Sequence, residues 1–206
     1  MTIDNYLEIL FSKVKNIGLK SIEGHGEFCS INCEKMLNNL LNLGFFSEDK
    51  SLLTSSVELL KIAGNLHDIG NFIPKEKEHN KLGAKFILKN KIQNLSEREN
   101  RIVANIIRYH RGKAPSENHK MFNVLDEEAK KIVIVFSSIL RVVDALDFNH
   151  KELCKSWTLR DDSFRKTLTI VTDYNMCEIL DFDIKFNKKK KHLEKLIDRK
   201  LDVKCF

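Results

Sequence analysis

The stretch from Glu127 to Phe148 constrains this chain more than any other. Ile132, Val133, Val135, Phe136, Ile139, Leu140, Val142, Val143 and Leu146 recur at helical spacing and cover most of a helix circumference. A helix apolar nearly all round is stable only when other elements enclose it, so residues 127–148 predict a buried central helix. At about 100° per residue, Ser137, Arg141 and Asp144 fall on one side, with Asp147 and Phe148 flanking Asp144. That polar stripe must meet partners, because an unpaired buried charge is expensive.

The remaining sequence supplies the enclosing elements. Only two prolines and eight glycines interrupt it, and apolar residues repeat at 3–4 spacing. Helices are predicted near 3–16, 26–43, 51–68, 79–89 and 96–110. Ser96 with Glu99 forms a capping box, and Asp126 is an N-cap for the central helix. After about residue 155 the texture changes: "SWTL" and "RKTLTIVT" have strand composition, "KKKKHLEKLIDR" is helical and "KLDVKCF" alternates as an exposed strand does. The segment "MCEILDFDIKF" fits either a strand or the start of the last helix. The expected architecture is mainly α: a helical bundle over residues 1–152 with a small C-terminal α/β appendage, 153–206, packed on it.

The N-terminus carries Asp4 and Glu8 where a secretory signal would be basic and then apolar, and no apolar run is long enough to span a bilayer. A cytoplasmic location without membrane contact is the expectation. Cys29, Cys33, Cys154, Cys177 and Cys205 contain no CxxC pair and are odd in number, so they read as small buried residues rather than a disulfide framework. The net charge of +6 admits an anionic partner. Much of it lies in the run Lys188 to Lys191, most simply a solvated helix face.

Four histidines fall at predicted helix ends, where side chains from separate helices can converge: His25, His67 beside Asp68, His79 and His110. Imidazole with carboxylate is a ligand set for divalent ions of borderline to hard character. Taken singly, each has a plainer reading. His25 fits a cap, His79 a solvent-exposed position and His67-Asp68 a helix-end hydrogen-bond pair, while Arg141 one turn away offers Asp144 an ion pair. His119, His150 and His192 are assigned to the surface.

The order His25, His67-Asp68, Asp144 resembles the signature of the HD superfamily of metal-dependent phosphohydrolases, and the "HDIG" form with His79 and His110 following resembles members that bind two ions. The resemblance implies an HD-domain helical bundle with one ion at His25, His67, Asp68 and Asp144. A second would sit at His79 and His110, with Asp68 bridging and the reacting centre at His67 and Asp68. A closer resemblance runs through "NLHDIGNFI", "EHNKLGAKFIL", "IIRYHRGKAPS", "SSILRVVDALDFNH" and "KKHLEKLIDRKLDVK". These are similar to the C-terminal half of the exopolyphosphatase and guanosine-pentaphosphate phosphohydrolase family. There this half follows an actin-like domain that performs hydrolysis; the present chain is expected to lack that domain while keeping every ligand position.

The implied activity is a phosphohydrolase with one or two divalent ions (Mn, Fe, Ni, Zn, Co or Mg) acting on a phosphoester or phosphoanhydride of a nucleotide or polyphosphate-like small molecule. The chemistry suits the residues: cations neutralise phosphate oxygens and acidify a bound water. Arg108, Arg111 and Arg141 offer forked donors to phosphate, and Lys113, with Lys75 and Lys77 as looser candidates, adds charge. The alternatives are a non-hydrolytic nucleotide- or polyphosphate-binding module and, from the basic charge, a metal-dependent nuclease on nucleic acid. Self-association as a homo-oligomer stays open.

Overall fold

The computed structural model describes residues 20–72, 78–151, 153–173 and 178–205. The predicted helix 3–16 and Lys75 and Lys77 lie outside them.

Helix α1 spans Lys20–Asn42, starting earlier than its apolar pattern suggested. A short 3₁₀ turn, Ser47–Asp49, leads into α2, Lys50–Ser55, and α3, Val57–Leu66. The single helix expected over 51–68 is thus two, broken at Ser56, whose backbone leaves helical geometry (φ −101°, ψ 3°). A 3₁₀ turn over Ile69–Phe72 follows. Then come α4, His79–Lys89, α5, Glu97–Tyr109, the short α6, Lys120–Asn123, and α7, Glu127–Leu146.

Capping sets where α5 and α7 begin. Ser96 accepts from the Glu99 amide while Glu99 reaches back to the Ser96 amide, and the Asp126 carboxylate accepts from the Ala129 amide at 2.8 Å. Helix α7 is the enclosed helix that its composition demands. Ile132, Val133, Phe136, Ile139, Leu140, Val142 and Val143 are all fully buried, against α1 and α5 among others.

Beyond α7, strand β1, Trp157–Asp162, and β2, Thr167–Thr172, form an antiparallel hairpin with Trp157 opposite Thr172. Helices α8, Phe182–Lys189, and α9, Lys191–Ile197, carry the chain back to β3, Lys200–Cys205, parallel to β2. Within the ambiguous "MCEILDFDIKF", the helix starts at Phe182 after Asp181 as a left-handed N-cap, and Met176 and Cys177 lie outside the described residues. Phe182, Phe186, Leu193, Ile197, Leu168, Ile170 and Leu201 are buried in the same apolar cluster as the bundle core. Trp157 adds a polar anchor: its indole Nε1 donates to Asn32 Oδ1 at 2.7 Å, and Lys35 of α1 lies over its ring.

Cys29, Cys33 and Cys154 are free and buried, as expected of small apolar fillers. Cys205 departs from that expectation, since it is disulfide-bonded. No described helix is long and apolar enough to cross a membrane.

Candidate metal centre

The centre begins with two glycines. A Cβ on Gly26 would lie 2.7 Å from the Asn65 carbonyl oxygen, and one on Gly64 would lie 2.9 Å from the Ser30 backbone. Only hydrogen fits there, so α1 and α3 cross at backbone contact. The crossing brings His25, next to Gly26, to His67, at the end of α3, with Nε2 atoms 3.2 Å apart. Gly70 does the same between the 3₁₀ turn and α4, where a Cβ would strike the His79 carbonyl. His79 then lies with Nε2 3.3 Å from Nε2 of His110, at the end of α5.

Asp68 lies between these pairs. Its Oδ1 is 3.1 Å from His79 Nε2 and 3.9 Å from His110 Nε2. Its Oδ2 is 3.8 Å from His67 Nε2 and 3.5 Å from His150 Nε2. Asp144 in α7 contributes Oδ1 at 3.6 Å from His25 Nε2. The structure therefore gathers His25, His67, Asp68, His79, His110 and Asp144 around one locus, all except His79 nearly fully buried.

The second nitrogens of the rings are already committed. Nδ1 of His67 donates to the Gly64 carbonyl at 2.7 Å, and Nδ1 of His110 to the Ile107 carbonyl at 2.7 Å. Nδ1 of His25 donates to Asp147 Oδ2 at 2.8 Å. Carbonyl and carboxylate oxygens only accept, so these three rings carry hydrogen on Nδ1. Nε2 of His67 and of His110 is thereby left free to accept, from a proton on the facing ring or from a cation between the two. Two donors about 2.1 Å from a common ion lie about 3.0 Å apart at octahedral angles and about 3.4 Å at tetrahedral ones. The His25–His67 and His79–His110 spacings fall in that interval, so the residues present fit a divalent ion. Donor atoms of Asp68, His79 and His110, and of His25, Asp68 and His150, all lie within 4.8 Å of one another.

Protonation is consistent with that fit. Burial works against ionisation of Asp68, yet His67, His79 and His110 hold its carboxyl far below the usual carboxylate range. Burial likewise opposes charge on Asp144, and Lys189, His25, His67 and His110 overcome it. Burial pushes the imidazoles of His67 and His110 down, keeping them neutral. His25 differs: burial disfavours its charge, but Cys29, Asp144 and Asp147 push it up to about 12. A metal ion at Nε2 competes with that proton for the same negative surroundings. Cys29, 3.7 Å from His25 Nε2, has a thiol that burial pushes up to about 11 although His25 opposes it, so it remains neutral packing.

His150, expected on the surface, is half-buried, stacked on His25 with ring centroids 3.9 Å apart. It gets there because Asp147 holds the turn after α7: the Asp147 carbonyl accepts from the His150 amide at 2.9 Å, and its carboxylate accepts from the Lys151 amide at 3.1 Å. His150 itself adopts a left-handed backbone (φ 55°). His119 and His192 are also half-buried. His119 bonds to the Tyr109 hydroxyl at 2.9 Å, and His192 lines the cleft outside the centre.

That cleft, of about 510 Å³, exposes Asp68, His79, His110 and Asp144, and α8 lines its far side with Lys185, Lys188 and Lys189. The lysine run is therefore not simply a solvated face. Lys189 pairs directly with Asp144 Oδ2, and Lys190 is half-buried and donates to the Leu201 carbonyl at 2.6 Å. Fold-back of the C-terminal segment is what recruits these cations; their spacing along the sequence held no sign of it.

The four proposed phosphate-binding residues separate. Arg141 is buried, and its guanidinium donates through Nε to the Tyr109 carbonyl (2.7 Å) and through Nη2 to the Gly112 and Lys113 carbonyls (3.0 Å each). It clamps the loop after α5 rather than offering a full fork to a ligand. Arg111 lines the metal cleft and bonds to His79 Nδ1 at 3.1 Å. Arg108 and Lys113 line a neighbouring cavity instead.

No curated protein matches the chain. A family model does, that of the Ppx/GppA phosphatase, domain III, over residues 35–203. The match runs from α1 into β3 and takes in His67, Asp68, His79, His110 and Asp144, while His25 precedes it. Spanning most of the chain and both the bundle and its appendage, it places the chain in the Ppx/GppA phosphatase domain III family, the C-terminal HD-type helical domain of the exopolyphosphatase/GppA proteins.

Proposed function

We propose that this chain is a divalent-metal-dependent phosphohydrolase that cleaves a phosphoester or phosphoanhydride bond in a nucleotide or polyphosphate-like small molecule. The observation that carries the reading is Asp68: its two oxygens face two groups of imidazoles, Oδ1 toward His79 and His110 and Oδ2 toward His67 and His150. One carboxylate shared between two such groups is the arrangement a two-ion site uses.

In this reading His25, His67, Asp68 and Asp144 hold one ion, and His79 and His110, sharing Asp68, hold the other. Bound cations supply charge neutralisation at the phosphate oxygens and a water acidified toward neutral pH. The chain's own groups do the rest. Asp147, the Gly64 carbonyl and the Ile107 carbonyl fix the ring orientations. Lys185, Lys188 and Lys189 give the cleft a positive wall that attracts a phosphate anion, and Arg111 presents forked donors beside His79.

Metal analysis of the purified protein, with turnover on a panel of nucleotides, cyclic nucleotides and polyphosphate, tests this. Bound metal, and hydrolysis lost in His67→Ala and Asp68→Ala, are expected. Metal-free protein with activity indifferent to both substitutions would sink the proposal.

A second reading, a non-hydrolytic phosphate-ligand module, is favoured by the Lys189–Asp144 pair, which compensates the buried carboxylate with the chain's own cation. It differs in one outcome: tight nucleotide or polyphosphate binding with no turnover when Mn, Ni, Co or Mg is supplied.

A further inference from the structure

Arg108 and Lys113 leave the metal cleft but not the chemistry of anions. The cavity they line, of about 440 Å³, adjoins the cleft: Arg111 and Gly112 belong to the walls of both. Lys81, Tyr109 and His119 complete the part that matters here. Lys81 is already paired with Glu78. Glu78 lines the same cavity and also interacts electrostatically with Arg108. Lys81, Arg108, Arg111 and Lys113 nevertheless set four cations against that one carboxylate on a single concave surface, an excess of positive charge that an anion relieves.

The cavity is also held in shape. The buried Arg141 guanidinium fixes the carbonyls of Tyr109, Gly112 and Lys113 from the core side, and Gly112 turns the loop with φ +73°. The backbone carrying Arg111 and Lys113 is therefore set before any ligand arrives. On the opposite wall Tyr109 and His119 stack at 5.7 Å and share a 2.9 Å hydrogen bond, and the Arg108 guanidinium lies over the Tyr109 ring at 5.5 Å. A fixed loop, a fixed aromatic wall and an excess of cations over carboxylates form a preorganised anion site.

We propose that this cavity is a second anion subsite, which takes a phosphoryl group of the substrate other than the one at the metal centre, Arg111 serving both. The inference rests on the phosphohydrolase reading for the word substrate, and it requires a compound bearing at least two phosphoryl groups. The subsite itself needs no metal, and the test exploits that.

Inorganic pyrophosphate is titrated calorimetrically into the full chain with a chelator present, and the Arg108 Nε–Hε resonance is followed by NMR. Pyrophosphate binds and shifts that resonance. Arg108→Met and Lys113→Met each weaken binding roughly tenfold or more, as loss of a charge-assisted contact predicts, whereas Lys50→Met, an exposed lysine that lines neither cavity, binds like the parent. Lys113 is exposed, so its variant remains informative if Arg108→Met folds poorly. Absence of pyrophosphate binding, unchanged affinity in Lys113→Met, or an equal loss in Lys50→Met overturns the subsite. A protein that binds pyrophosphate here yet holds no metal and hydrolyses nothing would retain the subsite and defeat the enzyme reading alone.

Discussion

Asp147 accepts a hydrogen bond from His25 Nδ1 at 2.8 Å, joining residues 122 apart in the sequence deep in the bundle. Both are 1% exposed, and the bond fixes which ring nitrogen faces His67. Asp147 also anchors the turn that returns His150 to the centre, so one carboxylate orients two imidazoles from behind.

Replacing Asp147 with Ala is therefore expected to weaken metal binding by roughly 10- to 100-fold, the usual effect of losing an orienting partner. Competition against a chromophoric chelator measures it. A variant that folds normally and binds as tightly as the parent would show that His25 needs no such support.

Gly64→Ala tests the helix crossing. Helix propensity favours alanine by about 1 kcal/mol, but the added carbon would meet Ser30 backbone at 2.9 Å, and overpacking costs about 1–3 kcal/mol. Backbone on the opposing face cannot rotate aside, so the clash wins. Urea unfolding should show a net loss of up to about 2 kcal/mol, and metal affinity should fall with it because His25 and His67 separate.

Lys189→Met leaves Asp144 without its ammonium partner. Breaking a fully buried pair costs about 3–5 kcal/mol, whereas Lys189 is 24% exposed, which lowers the expectation to about 1–3 kcal/mol. The loss should appear in chelated protein and largely vanish when a divalent ion is added, since the ion then compensates Asp144. Thermal melts with and without chelator compare the two; equal destabilisation in both would argue that the ion does not reach Asp144.

Asp126 gives the fold an acid-sensitive cap. The Arg98 guanidinium and the Ala129 amide hold its carboxyl down at about 2, against an ordinary value of 3.8. A depressed value means that the cap's contribution is complete above about pH 4 and fades as pH falls toward 2. Asp126→Ala should cost about 1 kcal/mol at neutral pH, typical of a lost N-cap. Its stability deficit, followed by denaturation between pH 5 and about 2, should shrink as the parent's carboxylate protonates.

Much of the helical framework was legible because its signals are local. The capping box at Ser96 and the Asp126 cap predicted the starts of α5 and α7, and His79–Lys89 matched its periodic segment from end to end. The break at Ser56 was hidden because Leu52, Leu53, Val57 and Leu60 continue the same apolar pattern across it. In the centre, His25, His67, Asp68, His79, His110 and Asp144 could be nominated from residue type, helix-end position and order. His150 and the α8 lysines could not, because nothing beside them in sequence sets them apart from solvent-exposed neighbours.

The sequence by itself determined that α7 had to be enclosed, that its polar stripe needed partners and which helix ends carried imidazole and carboxylate. Those conclusions follow from periodicity and from the cost of burying charge, which neighbouring residues express. Only the tertiary structure decided that Gly26 and Gly64 let His25 meet His67, and that Lys189 reaches Asp144 from 45 residues further along the chain. It likewise showed Arg141 turned inward to clamp a loop while Arg108 and Lys113 open a separate cavity. Close approach and charge pairing depend on distance in space, and residues far apart along a chain acquire that distance only when it folds.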